Sequence, residues 1–205
     1  MAPEAVRLYG AAAGQPAALP AAVRAALVAG ARIVGYVGHG NVDTWASWPG
    51  PGGRLLGAAD VAALPAPSPA AGGVGAGAGG LGLLVSATCL NAWFDHPVKA
   101  VSLAEAWLLA PGGGTAAFAP TGYARLEGQA ELVRRVLERV GRGAPGEPLG
   151  DALLDVLRAA DGGRFGPEVA DAARAFALLG DPAAPLAPRA GPGDPARTWL
   201  PALRR

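Results

Sequence analysis

The 205-residue chain has one cysteine, one methionine and two histidines, and Lys99 is its only lysine. A lone thiol at Cys89 forms no internal disulfide, so the fold is not covalently stapled. Long hydrophobic runs are missing too. The longest fall well short of the roughly 20 residues that span a bilayer. Residues 1–20 lack a charged segment followed by an apolar one, so this chain shows no signal peptide and no membrane partner is expected. Charge is sparse and balanced, with 17 basic and 16 acidic residues. No basic run carries interleaved aromatics, so nucleic acid is not an expected partner. The glycine-rich stretch 72–80 precedes a strand and holds no Gly-Lys-Ser/Thr, which rules it out as a phosphate loop. A Rossmann-like small-molecule enzyme would fit the alternation of elements, but its dinucleotide fingerprint is absent.

What is present is apolar and small: 51% hydrophobic residues, 32 glycines and 20 prolines. With arginine used almost everywhere in place of lysine, this is the bias of a GC-rich genome, and a single alanine or glycine says little. One domain is expected over 1–186, with a low-complexity Pro/Gly/Ala loop at 65–80 and a Pro/Arg-rich, loosely ordered tail at 187–205. The pattern predicts strands at 5–9, 32–37, 81–88 and 115–119, and helices at 17–29, 102–110, 127–141, 150–160 and 167–178, with a short helical piece at 58–64. Ser102 with Glu105 three residues on has capping-box spacing. Strands alternating with helices predict a mostly parallel sheet covered on both faces, with ligands at the carboxyl ends of the strands.

His39 and Cys89 each fall just past the end of an apolar strand, so neighbouring strands would open both onto one sheet edge. A thiolate is the strongest side-chain nucleophile near neutral pH, and an imidazole can stabilise it and protonate a departing amine. Cleavage of a peptide bond also needs oxyanion donors, each worth about 2.7–4 kcal/mol. Gly40, without a Cβ, lets its backbone approach a substrate, and the Cys89 N–H would be the second donor. The blander alternatives remain: a buried, inert cysteine and a histidine that is only a turn residue.

The surrounding words are more specific. Gly35-Tyr36-Val37-Gly38-His39-Gly40 with Trp45 resembles the histidine motif of gingipain-type cysteine peptidases. Thr88-Cys89-Leu90-Asn91 followed by Phe94-Asp95 resembles their cysteine motif. Ser102–Ala106 with Pro111–Gly114, then Thr121-Gly122, then Leu179–Pro182, follow in the family's order. The resemblance covers roughly 30–186. It implies a caspase-like three-layer α/β/α sandwich and a Cys89/His39 dyad. It also implies an oxyanion hole from the Gly40 and Cys89 amides, a thioester acyl-enzyme, no cofactor or catalytic metal, and a polypeptide substrate. Two features depart from the family pattern. Ala92-Trp93 stand where a glycine is usual, and Trp93 would narrow the mouth of the site. Only one strand and one helix precede the His39 strand, where the family carries an additional strand and helix, which suggests an N-terminally truncated domain belonging to a larger exported protein.

Trp45 and Trp93 are candidate substrate contacts, although a core role suits Trp45 equally. Asp43 and Glu127 are available to select a basic substrate residue, and no spacing argument prefers either. His96 reads as a loop residue beside the site, and Asp95 as one carboxylate, too few for a metal. The competing function is a non-catalytic caspase-like scaffold or binding domain.

Overall fold

A computed structural model describes residues 5–7, 18–28, 33–47, 53–66, 81–186 and 197–200. The chain runs β1 (Ala5–Arg7), α1 (Leu19–Val28), β2 (Ile33–Val37), β3 (Gly40–Asn41), β4 (Thr44–Ser47), β5 (Arg54–Gly57), α2 (Ala58–Ala62), β6 (Leu81–Ala87) and α3 (Leu103–Leu109). It continues through β7 (Gly114–Pro120), α4 (Leu126–Arg142), α5 (Leu149–Asp161), α6 (Pro167–Arg174), β8 (Phe176–Gly180) and β9 (Arg197–Leu200). Six strands form the main sheet in the order β1-β9-β2-β6-β7-β8. All its neighbours pair parallel except β7 with β8.

Strand period sorts the core into two layers. Val34 and Tyr36 of β2, Leu84 of β6 and Ala117 and Ala119 of β7 face one side, packed with Val23 and Leu27 of α1, Val61 of α2 and Trp107 of α3. Val37, Leu83, Val85, Ala116 and Phe118 face the other, under Leu132, Val133 and Val136 of α4, Leu153 of α5 and Val169 of α6. This is the expected α/β/α sandwich. The runs in β6 and β7 are apolar on both faces because helices cover both faces. The α3 capping box forms as expected: the Glu105 amide donates to Ser102 Oγ, and the Ser102 amide donates to the Glu105 carboxylate.

Three expectations change. The helix expected over 167–178 stops at Arg174, and Phe176–Gly180 is a strand paired antiparallel with β7. Its Phe-Ala-Leu-Leu run is equally compatible with either period, and the free edge of β7 decides. Gly40–Asn41, Thr44–Ser47 and Arg54–Gly57, where no strand is predicted, form a small antiparallel sheet in the order β3-β4-β5. The tail expected outside the packed region contributes β9, which lies between β1 and β2 and pairs with both. The outer edge of β2 is therefore occupied. The Thr-Trp-Leu run at 198–200 is strand-favouring sequence inside a Pro/Arg-rich segment whose composition masked it. The loop at 67–80 and the tail at 187–196 and 201–205 lie outside the described residues.

Candidate active site

β2 and β6 are hydrogen-bonded parallel neighbours in register Val37↔Ala87, and Gly38 N–H donates to the Ala87 carbonyl at 3.0 Å. His39 and Cys89 each stand two residues beyond this pair, so both leave the sheet at one level of its carboxyl edge.

The histidine segment is held by its backbone. The His39 carbonyl accepts from Tyr36 Oη at 2.7 Å and from the Ala46 amide at 2.7 Å. Its imidazole is exposed and makes no hydrogen bond among the described residues. The flanking glycines answer to close approach. A Cβ on Gly38 would lie 2.5 Å from Tyr36 Oη, and one on Gly40 would lie 2.2 Å from Thr88 Oγ1 and 2.6 Å from the Thr44 carbonyl. Gly-His-Gly is thus the sequence that lets β3 pack onto the end of β6.

The cysteine segment turns through Leu90, whose φ of 62° is left-handed, and returns as the Ala92 amide donates to the Pro120 carbonyl at the end of β7. Cys89 is half-buried and unpaired, and burial pushes its thiol up from the ordinary value. No hydrogen bond joins it to His39.

Asn91 ties the two segments together. Its side chain is fully buried, accepts from Trp45 Nε1 at 2.7 Å and donates to the Asn41 carbonyl and, at 3.4 Å, to that of Thr44. Trp45, a candidate substrate contact that a core role suits equally, has no exposed surface. It stacks on Tyr36 with ring centroids 4.4 Å apart and supports the hairpin from beneath. Trp93 is half-exposed on the cysteine loop, its ring edge-on to His96 at 4.4 Å. His96 Nδ1 accepts the Val98 and Lys99 amides at 3.1 and 2.9 Å, so it serves as the loop's internal acceptor. Asp43 is paired with Lys99 at 2.8 Å, while Glu127 is exposed in the first turn of α4. Sequence reasoning assigned no role to Tyr36, Thr88 or Asn91. Their signal lay in the two motifs, whose neighbours of the catalytic candidates are fixed by packing.

Among the described residues, no three His, Cys, Asp or Glu side chains group to hold a metal ion, and no helix is long and apolar enough to cross a membrane. An apolar groove of about 510 Å³ lies elsewhere, between α5 and the β7–β8 edge, lined by Phe118, Leu153, Leu157, Phe176 and Leu178.

A three-layer sandwich with a Cys and a His at the carboxyl edge of adjacent parallel strands is the arrangement of a caspase-like fold. The model of peptidase family C25 matches residues 4–187, and the chain belongs to that family. Among solved structures, it is similar to the complex of Porphyromonas gingivalis RgpB pro- and mature domains, at 19% identity and a TM-score of 0.61. The alignment covers 82% of this chain and 37% of that one. It is also similar to the Arg-specific cysteine proteinase gingipain R, at 19% identity and a TM-score of 0.58, covering 83% of this chain and 37% of that one. The chain therefore spans little more than a third of the length of these structures. No curated protein sequence matches it.

Proposed function

We propose that this chain is the catalytic portion of a cysteine-type endopeptidase acting through Cys89 and His39. The reading is carried by the β2–β6 register, which brings both residues to one sheet edge two positions past a bonded pair. Membership of peptidase family C25 supports it. His39 takes the thiol proton, and the Cys89 sulfur attacks the scissile carbonyl carbon. The Gly40 and Cys89 amides face the developing oxyanion. As the tetrahedral species collapses, the C–N bond breaks and His39 returns the proton to the leaving amine. Water, deprotonated by His39, then hydrolyses the thioester, releasing the acid and restoring the thiol. The partner is a polypeptide, and further domains of a larger exported protein are the proposed neighbours.

Burial raises the Cys89 pKa and no hydrogen bond joins the thiol to His39 in this structure. The activated pair then forms on substrate binding, when the exposed His39 side chain swings over Cys89. The test is labelling of Cys89 by a peptidyl chloromethyl ketone. His39→Ala is expected to slow it by at least about 10²-fold. Unchanged labelling in that variant would remove the dyad.

The raised thiol also favours a second reading, a non-catalytic scaffold of the same fold. It predicts alkylation of Cys89 that follows an ordinary or elevated thiol titration and is identical in wild type and His39→Ala.

A further inference from the structure

Six large apolar side chains are exposed among the described residues: Val28, Phe94, Val98, Leu109, Tyr123 and Leu154. Three of them sit on the two loops that leave the carboxyl ends of β6 and β7, beside Cys89. Phe94 is 59% exposed and Val98 84% on the first loop, and Tyr123 is 78% exposed on the second. The loops are joined where the Ala92 amide meets the Pro120 carbonyl at 2.9 Å, two residues from Phe94 and three from Tyr123. Half-exposed Trp93 directly precedes Phe94 on the first loop.

The first loop is built, not slack. The Trp93 amide donates to the Leu90 carbonyl and the Phe94 amide to that of Ala92, at 3.0 and 2.9 Å. His96 accepts two amides, and Lys99 is anchored to Asp43. A loop fixed by this many bonds while holding large apolar groups in water leaves surface that a ligand can cover at little further ordering cost. Asp95, exposed beside Phe94 and without an ion pair among the described residues, is the carboxylate that an Arg peptide would test, while others nearby are engaged. The Asp43 carboxylate, a candidate for holding a basic residue, already carries Lys99, and Glu105 is committed to capping α3. Glu127 sits in the first turn of α4, where the helix N-terminus stabilises its charge.

We propose that Trp93, Phe94 and Tyr123 form an apolar acceptor that selects polypeptides carrying a large aromatic or aliphatic side chain beside the scissile bond. This rests on the peptidase reading for its meaning, but its binding step does not require catalysis. Val98 extends the same rim. The occupant is an extended substrate chain entering along the edge that holds His39 and Cys89.

The test uses the full chain with Cys89→Ala, titrated calorimetrically with acetyl-Ala-Ala-Phe-amide and its Arg and Glu counterparts. The Phe peptide is expected to bind about tenfold more tightly than either. Phe94→Ser with Tyr123→Ser, both exposed and so without cost to the fold, is expected to erase that preference. Equal affinities, tighter binding of the Arg peptide, or no binding of any of the three at millimolar concentration overturns the acceptor. Labelling of Cys89 by chloromethyl ketones in wild type and His39→Ala reads the dyad separately. Phe-selective binding with His39-independent labelling sustains the acceptor and removes the peptidase. His39-dependent labelling that follows Arg does the reverse.

Discussion

Trp45 Nε1 donates to Asn91 Oδ1 at 2.7 Å with both side chains fully buried, and this bond joins the hairpin that follows His39 to the turn that follows Cys89. Removing one partner strands the other in a dry environment. Asn91→Ala leaves the indole N–H and two hairpin carbonyls short of partners, and Trp45→Phe orphans the amide oxygen. Each is expected to cost about 1–3 kcal/mol in urea unfolding. The double variant should cost less than the sum. Strict additivity would mean that the bond does not couple the segments.

Gly40→Ala puts a methyl 2.2 Å from Thr88 Oγ1 and 2.6 Å from the Thr44 carbonyl. A destabilisation of about 1–3 kcal/mol is expected, with loss of Cys89 labelling by a peptidyl ketone. Adding Thr88→Ala should recover part of it, since the hydroxyl goes and the carbonyl remains. Thr88 Oγ1 has no hydrogen-bond partner, so its removal forfeits none.

Tyr36→Phe keeps the ring stacked on Trp45 and deletes the donor to the His39 carbonyl. The Ala46 amide still holds that carbonyl, so only about 0.5–1.5 kcal/mol of stability should be lost. Thermal melts and ketone labelling together check it. A positioning role predicts a fall in labelling beyond what the stability loss explains.

Acid should loosen α4. The hydrogen bond from Arg134, reinforced by Arg135, holds the Glu131 carboxyl below the ordinary glutamate value of 4.5. A depressed folded-state pKa stabilises the fold above that value and is lost as pH falls through the folded one. The melting temperature is expected to drop below about pH 4.5, and Glu131→Gln should flatten that limb. The pairs are partly exposed, so the effect is small. The Cys89 shift has the opposite sign: its contribution is complete below the ordinary thiol value and fades as pH rises through the folded one.

A chain ending at residue 196 lacks β9 and opens a gap between β1 and β2. Two ladders are lost, so a lower urea midpoint and faster proteolysis are expected. An unchanged midpoint would show that β9 adds nothing to the sheet.

The sequence by itself determined the elements whose physics is local. The unbroken apolar runs ending at Val37 and Ala87, the Ser102–Glu105 box and the amphipathic face of 127–141 each follow from period, capping or composition. It also marked His39 and Cys89, because short motifs flank them. What only the tertiary structure decided is contact between distant segments. Phe176–Gly180 becomes a strand because β7 offers an edge, and 197–200 enters the sheet between β1 and β2. Trp45 goes inside because Tyr36 and Asn91 meet it there. Asn91 holds the site together although its neighbours in sequence give no hint of partners 46 to 50 residues away. Hydrogen bonds and packing across such separations depend on which strands become neighbours, and a local pattern carries no record of that.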